Sequence, residues 1–194
     1  MKESTGYGLA LLQALYLFAP LLVSAALSAV VLRFELFPAL RAPVDAHLAF
    51  RGRRVFGDSK TWRGFAVAIA GCSVTALLQR WIAAPPLLCL LDYRSANAPL
   101  FGAAMGLGAM LGELPNSFVK RQLGIAPGKT ARGARRIAFY VWDQLDLLTG
   151  AWPLIAFWVR PTAKLVAASV LLALALHPLV ALIGFLVGAR TSAR

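Results

Sequence analysis

The chain has 194 residues, 59% of them hydrophobic, and a mean hydropathy of +0.70. Soluble domains carry roughly 45–50% apolar residues, so the composition excludes an ordinary water-soluble globule. Twenty basic residues against 8 acidic ones, a formal charge of +12, leave nucleic acid, a membrane surface or a polyanionic substrate as possible partners.

Five stretches meet the length of about 20 apolar residues that a spanning helix needs. Residues 9–32 form the first and carry no charge. This run is longer than the apolar core of a signal peptide, and no small-residue cleavage site ends it cleanly. Residues 33–64 follow as a basic loop. The second span, residues 65–84, holds only Arg80, near its end. Residues 85–98 are a short connection opened by Pro85-Pro86. The third span, residues 99–118, is glycine-rich, and Gly102, Gly106, Gly108 and Gly112 give it a small face suited to close helix packing. A second basic loop occupies residues 119–136. The fourth span, residues 137–159, contains Asp143 and Asp146, and the fifth covers residues 164–187.

The expected fold is therefore all-α: a polytopic membrane helix bundle with about five transmembrane helices and two basic cytoplasmic loops, 33–64 and 119–136, in one domain over residues 1–194. Five spans place fifteen basic residues on one side of the membrane and five on the other. The rule that positive loops stay inside predicts an outside N-terminus and a cytoplasmic site. The same distribution accounts for the net charge without nucleic acid, and no nucleic-acid module signature is present. Cys72 and Cys89 read as packing residues, and the isolated His47 and His177 as local polar contacts.

Four polar segments are not explained by spanning. The first is Asp143-Gln144-Leu145-Asp146. Each carboxylate inside a span costs about 2.5–3.5 kcal/mol on insertion scales, and the i, i+3 spacing puts both on one helical face. Such a pair repels itself unless a cation or proton intervenes. Oxygen ligands of this kind suit magnesium together with substrate phosphates, while interfacial acids bonded to nearby Lys or Arg are the plain alternative. The second segment is Gly112-Glu113-Leu114-Pro115-Asn116-Ser117, ending in Lys120-Arg121. Pro115 is expected to interrupt helical hydrogen bonding and free backbone groups for a cavity. Asn116 and Ser117 offer neutral hydrogen bonds, and Lys120 and Arg121 offer charge for phosphate oxygens or for lipid headgroups. The third is Gly57-Asp58-Ser59-Lys60-Thr61-Trp62-Arg63-Gly64, a loop able to approach phosphates or to anchor at the interface through Trp62. The fourth, Pro127-Gly128-Lys129 and the basic run after it, reads as a turn followed by a cationic segment that could fold over a nucleotide or face headgroups.

In this order the segments resemble the CDP-archaeol synthase family, membrane enzymes related to phosphatidate cytidylyltransferases. Gly112-Glu113 stands where the archaeal pattern has Gly-Asp, which suggests a bacterial-type variant. The resemblance implies transfer of CMP from CTP to a phosphorylated lipid, with pyrophosphate released and Mg2+ as cofactor. It implies Asp143, Asp146 and Lys120 as catalytic residues and Asp143, Asp146 and Glu113 as metal ligands. Asp58, Lys60, Thr61, Arg63, Asn116, Ser117 and Arg121 would bind substrate. Expected partners are CTP, the lipid substrate and membrane lipids, with no nucleic acid.

An ion-coupled transporter also uses intramembrane acids, and a lipid-binding scaffold also uses arginines. Convergence of Asp58, Glu113, Lys120, Asp143 and Asp146 on one cavity favours the enzyme. Acids leading through the bundle favour the transporter, and dispersed positions the scaffold.

Overall fold

The computed structural model describes residues 6–186 apart from 83, 95, 130, 132 and 134. Lys2, Arg132, Arg190 and Arg194, counted above for orientation, lie outside the described residues, as does the side chain of His177. Five helices run in chain order: α1 (Tyr7–Arg33), α2 (Trp62–Gln79), α3 (Ala98–Gln122), α4 (Arg135–Ile155) and α5 (Ala163–Leu186). Each packs on its sequence neighbours, and α5 returns to α1, so the five close into a ring.

Several boundaries differ from expectation for local reasons. The second helix starts at Trp62, three residues early, because the Thr61 hydroxyl accepts from the Gly64 amide and caps it. It ends at Gln79, short of residue 84, in successive turns through Ile82. The third helix runs through Pro115 to Gln122 without a break, so the expected interruption does not occur. α4 begins at Arg135 and stops at Ile155, followed by a turn through Val159. The second basic loop shrinks accordingly to residues 123–134.

The glycines of α3 serve two faces rather than one. A Cβ at Gly102 or Gly106 would overlap the α2 backbone at Cys72 or Ala68. At Gly108 or Gly112 it would overlap the α4 backbone at Gly150 or Asp146, and Gly150 is held equally close in return. Residues 106 and 108 are about 200° apart on a helix, so each i, i+4 pair faces a different neighbour. Backbone-to-backbone contact of this kind needs residues without side chains and fixes α2 and α4 axially against α3.

Loop one is a folded cap. A short 3-10 turn at Pro38–Leu40 leads to a two-stranded antiparallel hairpin, β1 (Ala49–Phe50) with β2 (Arg53–Arg54). The hairpin sits on the C-terminal end of α3. Phe50 packs on Phe118 with ring centroids 6.0 Å apart, the Gln122 amide donates to the Arg54 carbonyl at 3.3 Å, and the Arg53 guanidinium donates to the Gln122 carbonyl.

Candidate active site

At the level of Gly112, α3 and α4 bring their polar residues together. Asn116, buried on α3, donates its amide to Asp143 Oδ1 at 2.6 Å and to Asp146 Oδ2 at 2.9 Å. One neutral amide thus bridges two carboxylates that would otherwise repel. Lys120, one turn further along α3, ion-pairs with Asp143 and lies 5.6 Å from the centre of the Phe139 ring. Asp146 also accepts from its neighbour's backbone, the Leu147 amide, at 2.8 Å.

From loop one, Lys60 reaches in to ion-pair with Glu113, which shares the α3 end of the cluster. Both side chains are largely shielded, at 17% and 22% exposure. Loop one is held for this by a residue the motifs did not single out. Asp45 is buried and accepts four hydrogen bonds: Arg54 at 2.6 Å, and the backbone amides of Phe56, Gly57 and His47 at 2.9, 3.0 and 3.1 Å. Burial alone would raise its pKa, but the Arg54 guanidinium and the three amides outweigh it and hold the carboxyl down at about 2. Arg54 also pairs with Asp58 at 2.7 Å and contacts His47 Nδ1 at 3.0 Å. The sequence signal for Asp45 was slight: one acid among many arginines, with partners that are mostly backbone.

The expected site residues therefore separate. Glu113, Asn116, Lys120, Asp143, Asp146 and Lys60 converge. Ser117 is buried beside Asn116. Arg121 diverges: its Nε and Nη1 are buried without partners and it lines a pocket of about 320 Å3 with Arg53, Arg54, Asp58 and the 124–127 turn. Asp58 is exposed at that pocket's edge, away from the aspartates. Thr61 caps α2, and Arg63 is buried and donates to the Leu36 carbonyl at 3.1 Å, tying loop one to α2. Neither contributes to the carboxylate cluster in this arrangement.

A hard divalent cation fits the chemistry of the donors. Two aspartates lie one turn apart, and Asn116 Oδ1 is buried beside them without a hydrogen-bond partner. Among the described residues no three His, Cys, Asp or Glu side chains are gathered tightly enough to hold an ion alone. A hard cation held by one or two carboxylates completes its shell with water and phosphate. Glu113 is engaged with Lys60.

Beside the cluster, an apolar cavity of about 260 Å3 lies where α1, α3, α4 and α5 meet. Its α1 wall runs from Leu15 to Leu32, about 26 Å at 1.5 Å per residue. Glu113 and Gln144 line its polar end.

A family model described as "CarS-like: CDP-archaeol synthase" matches residues 8–192. The chain belongs to that family. A CDP-archaeol synthase of Methanoculleus marisnigri is 33% identical over 155 residues, covering 76% of this chain and 87% of the relative. Another, of Archaeoglobus fulgidus, is 37% identical and covers 70% and 74%. A solved structure described as an intramembrane enzyme for archaeal membrane lipids biosynthesis superposes with a TM-score of 0.57 at 28% identity, covering 84% of this chain and 89% of that one. These relatives give no support for a bacterial-type variant. With this family and two helices, α1 and α2, that are by themselves long and apolar enough to cross a membrane, the chain is an integral membrane protein. In this CDP-archaeol synthase family member the acids of the described helices beyond α1, Glu113, Asp143 and Asp146, gather at one level of α3 and α4 and do not lead through the bundle as the transporter reading requires.

Proposed function

We propose that this protein is a membrane cytidylyltransferase that transfers CMP from CTP to a phosphorylated lipid and releases pyrophosphate. The observation that carries the reading is the junction between the Asp143–Asn116–Asp146 cluster and the long apolar cavity. One reactant is water-soluble and triply phosphorylated, the other has an apolar tail and a phosphate head, and the two environments meet at Glu113 and Gln144.

In this reading a lipid phosphate oxygen attacks the α-phosphorus of CTP, and the bond from that phosphorus to the bridging oxygen of the β-phosphate breaks. A phosphate monoester is already anionic near neutral pH, so no strong general base is needed. Bringing two polyanions together is the main barrier, and fixed positive charge in a preorganised geometry lowers it. Lys120 exchanges its Asp143 partner for a phosphate oxygen, and Lys60 supplies a second charge from the loop-one side. Arg121, with its unpartnered nitrogens, receives the nucleotide's phosphates in the pocket lined by Arg53 and the 124–127 turn. Asp143 and Asp146 would hold Mg2+, which when bound neutralises phosphate charge and makes the α-phosphorus more electrophilic. Asn116 sets the spacing of the two carboxylates. The positive-inside bias of the basic loops supports a site facing the cytoplasm, where CTP is available, with the N-terminus outside.

The test is turnover by purified protein in detergent with Mg2+ and CTP, offering diacyl phosphatidate and its dialkyl ether counterpart. Formation of CDP-lipid and pyrophosphate is expected, with loss of at least about 100-fold in the folded Asp146→Asn variant. Full activity in that variant would overturn the metal assignment, and absence of CTP binding in the wild type would overturn the reaction.

A further inference from the structure

Lys120 stands between two residues of α4 that lie one turn apart. On one side it ion-pairs with Asp143. On the other its ammonium lies over the ring of Phe139, 5.6 Å from the centroid. Phe139 and Asp143 are spaced i, i+4, so both meet α3 from the same stripe of α4. Phe139 is 7% exposed, and the Trp142 indole lies parallel to its ring, with centroids 6.0 Å apart and 3° between the planes. The ring face is therefore fixed in orientation and largely withdrawn from water, as is the Lys120 side chain, at 15% exposure.

An aromatic face carries partial negative charge, and a cation within about 6 Å of the centroid is attracted to it, the more so where water is excluded. The two partners of Lys120 fare differently in the proposed reaction. Asp143 is a proposed metal ligand, and a carboxylate on a metal holds a neighbouring ammonium less tightly. The ring has no competing ligand, so it stays. It also carries no net charge, so it does not withhold the ammonium from a phosphate. Lysine has a flexible four-carbon stem, and without the ring its charge would swing away once Asp143 lets go.

We infer that Phe139 is a positioning residue whose ring face keeps the Lys120 ammonium in place as it passes from Asp143 to a phosphate oxygen of the nucleotide. The ring counts least in the unliganded protein, where Asp143 already fixes the lysine, and most once the phosphate is bound. This rests on the proposed reaction for the role of Lys120.

Fluorination tests the ring with little change of shape. Mono-, di- and trifluoro analogues of phenylalanine at position 139 withdraw π density stepwise. Binding of CTP with Mg2+ is measured in detergent without lipid, so that no turnover occurs, and CDP-lipid formation is measured separately. The Kd for CTP is expected to rise in graded steps, reaching about fivefold in the trifluoro protein, which corresponds to about 1 kcal/mol. The kcat/KM for CTP should fall by the same steps, with the KM for the lipid within about twofold of the wild type. In a Lys120→Met background the same series should leave the Kd unchanged, whereas a role in packing alone would persist there. A flat series, a loss already complete at one fluorine, or a trend that survives Lys120→Met would overturn the inference. Phe139→Leu keeps apolar bulk and should match the trifluoro protein; wild-type affinity in it would overturn the inference as well. Graded CTP affinity without CDP-lipid formation would leave the ring's role standing and sink the reaction. CDP-lipid formation with a flat series would do the reverse.

Discussion

Gly112 on α3 meets the carbonyl oxygen of Asp146 on α4 so closely that even a methyl group between them would overlap it. This contact sets Asp146 level with Glu113 and Asn116. Gly112→Ala should push α4 outward, lengthen the Asn116–Asp146 hydrogen bond and cost about 1–3 kcal/mol in stability, with turnover falling at least about tenfold. Gly8→Ala is the control, since nothing lies within 4 Å of a Cβ there. Thermal unfolding and CDP-lipid formation, measured side by side, check both.

The Lys60–Glu113 pair joins loop one to the bundle. Removing one partner strands the other in a shielded place. Lys60→Met or Glu113→Gln alone should therefore destabilise by about 1–3 kcal/mol, below the range for a fully buried pair because both groups retain some solvent. The double variant should cost clearly less than the sum of the two. A double-mutant cycle from unfolding in detergent gives the coupling energy directly; strict additivity would mean the pair contributes nothing.

Loop one should loosen in acid. The Asp45 pKa is depressed to about 2 from an ordinary value of 3.8. A depressed carboxyl contributes stability that is complete above its unfolded pKa and is lost as pH falls through the folded one. The cap should accordingly be intact above about pH 4 and weaken between about pH 4 and 2, by roughly 2 kcal/mol. Hydrogen exchange at the Phe56 and Gly57 amides reads this locally. Asp45→Asn should show fast exchange already at neutral pH, with no further acceleration across that window.

Thr61 lies in the motif whose resemblance implied substrate binding, yet its hydroxyl caps α2. Thr61→Ala should cost about 1 kcal/mol of stability and leave the KM for CTP unchanged, whereas Thr61→Ser should restore the stability. A raised KM for CTP in a stable Thr61→Ala protein would return the residue to the binding site.

The bundle itself was legible because membrane spanning is a constraint of composition and length. The aspartate pair was legible for the opposite reason: charge where composition forbids it asks for a cause. Asn116, Lys120 and Glu113 followed by proximity along α3. What the sequence concealed depends on direction. Thr61 and Arg63 sit in the same short motif as Lys60, but they turn to Gly64 and to the Leu36 carbonyl while Lys60 turns to Glu113. Gln144 was hidden between two acids of a motif whose helical face it does not share. Asp45 organises a loop through backbone amides, which carry no residue-type signature.

The two glycine pairs on α3 make that helix a ruler. Because α2 and α4 are indexed against it through main-chain atoms, the depth of the carboxylates is measured in helical rise and not in side-chain volume. The outward surface of the bundle can then be re-tailored for bilayers of different thickness or stiffness while the position of the chemistry along the membrane normal stays where the backbone put it.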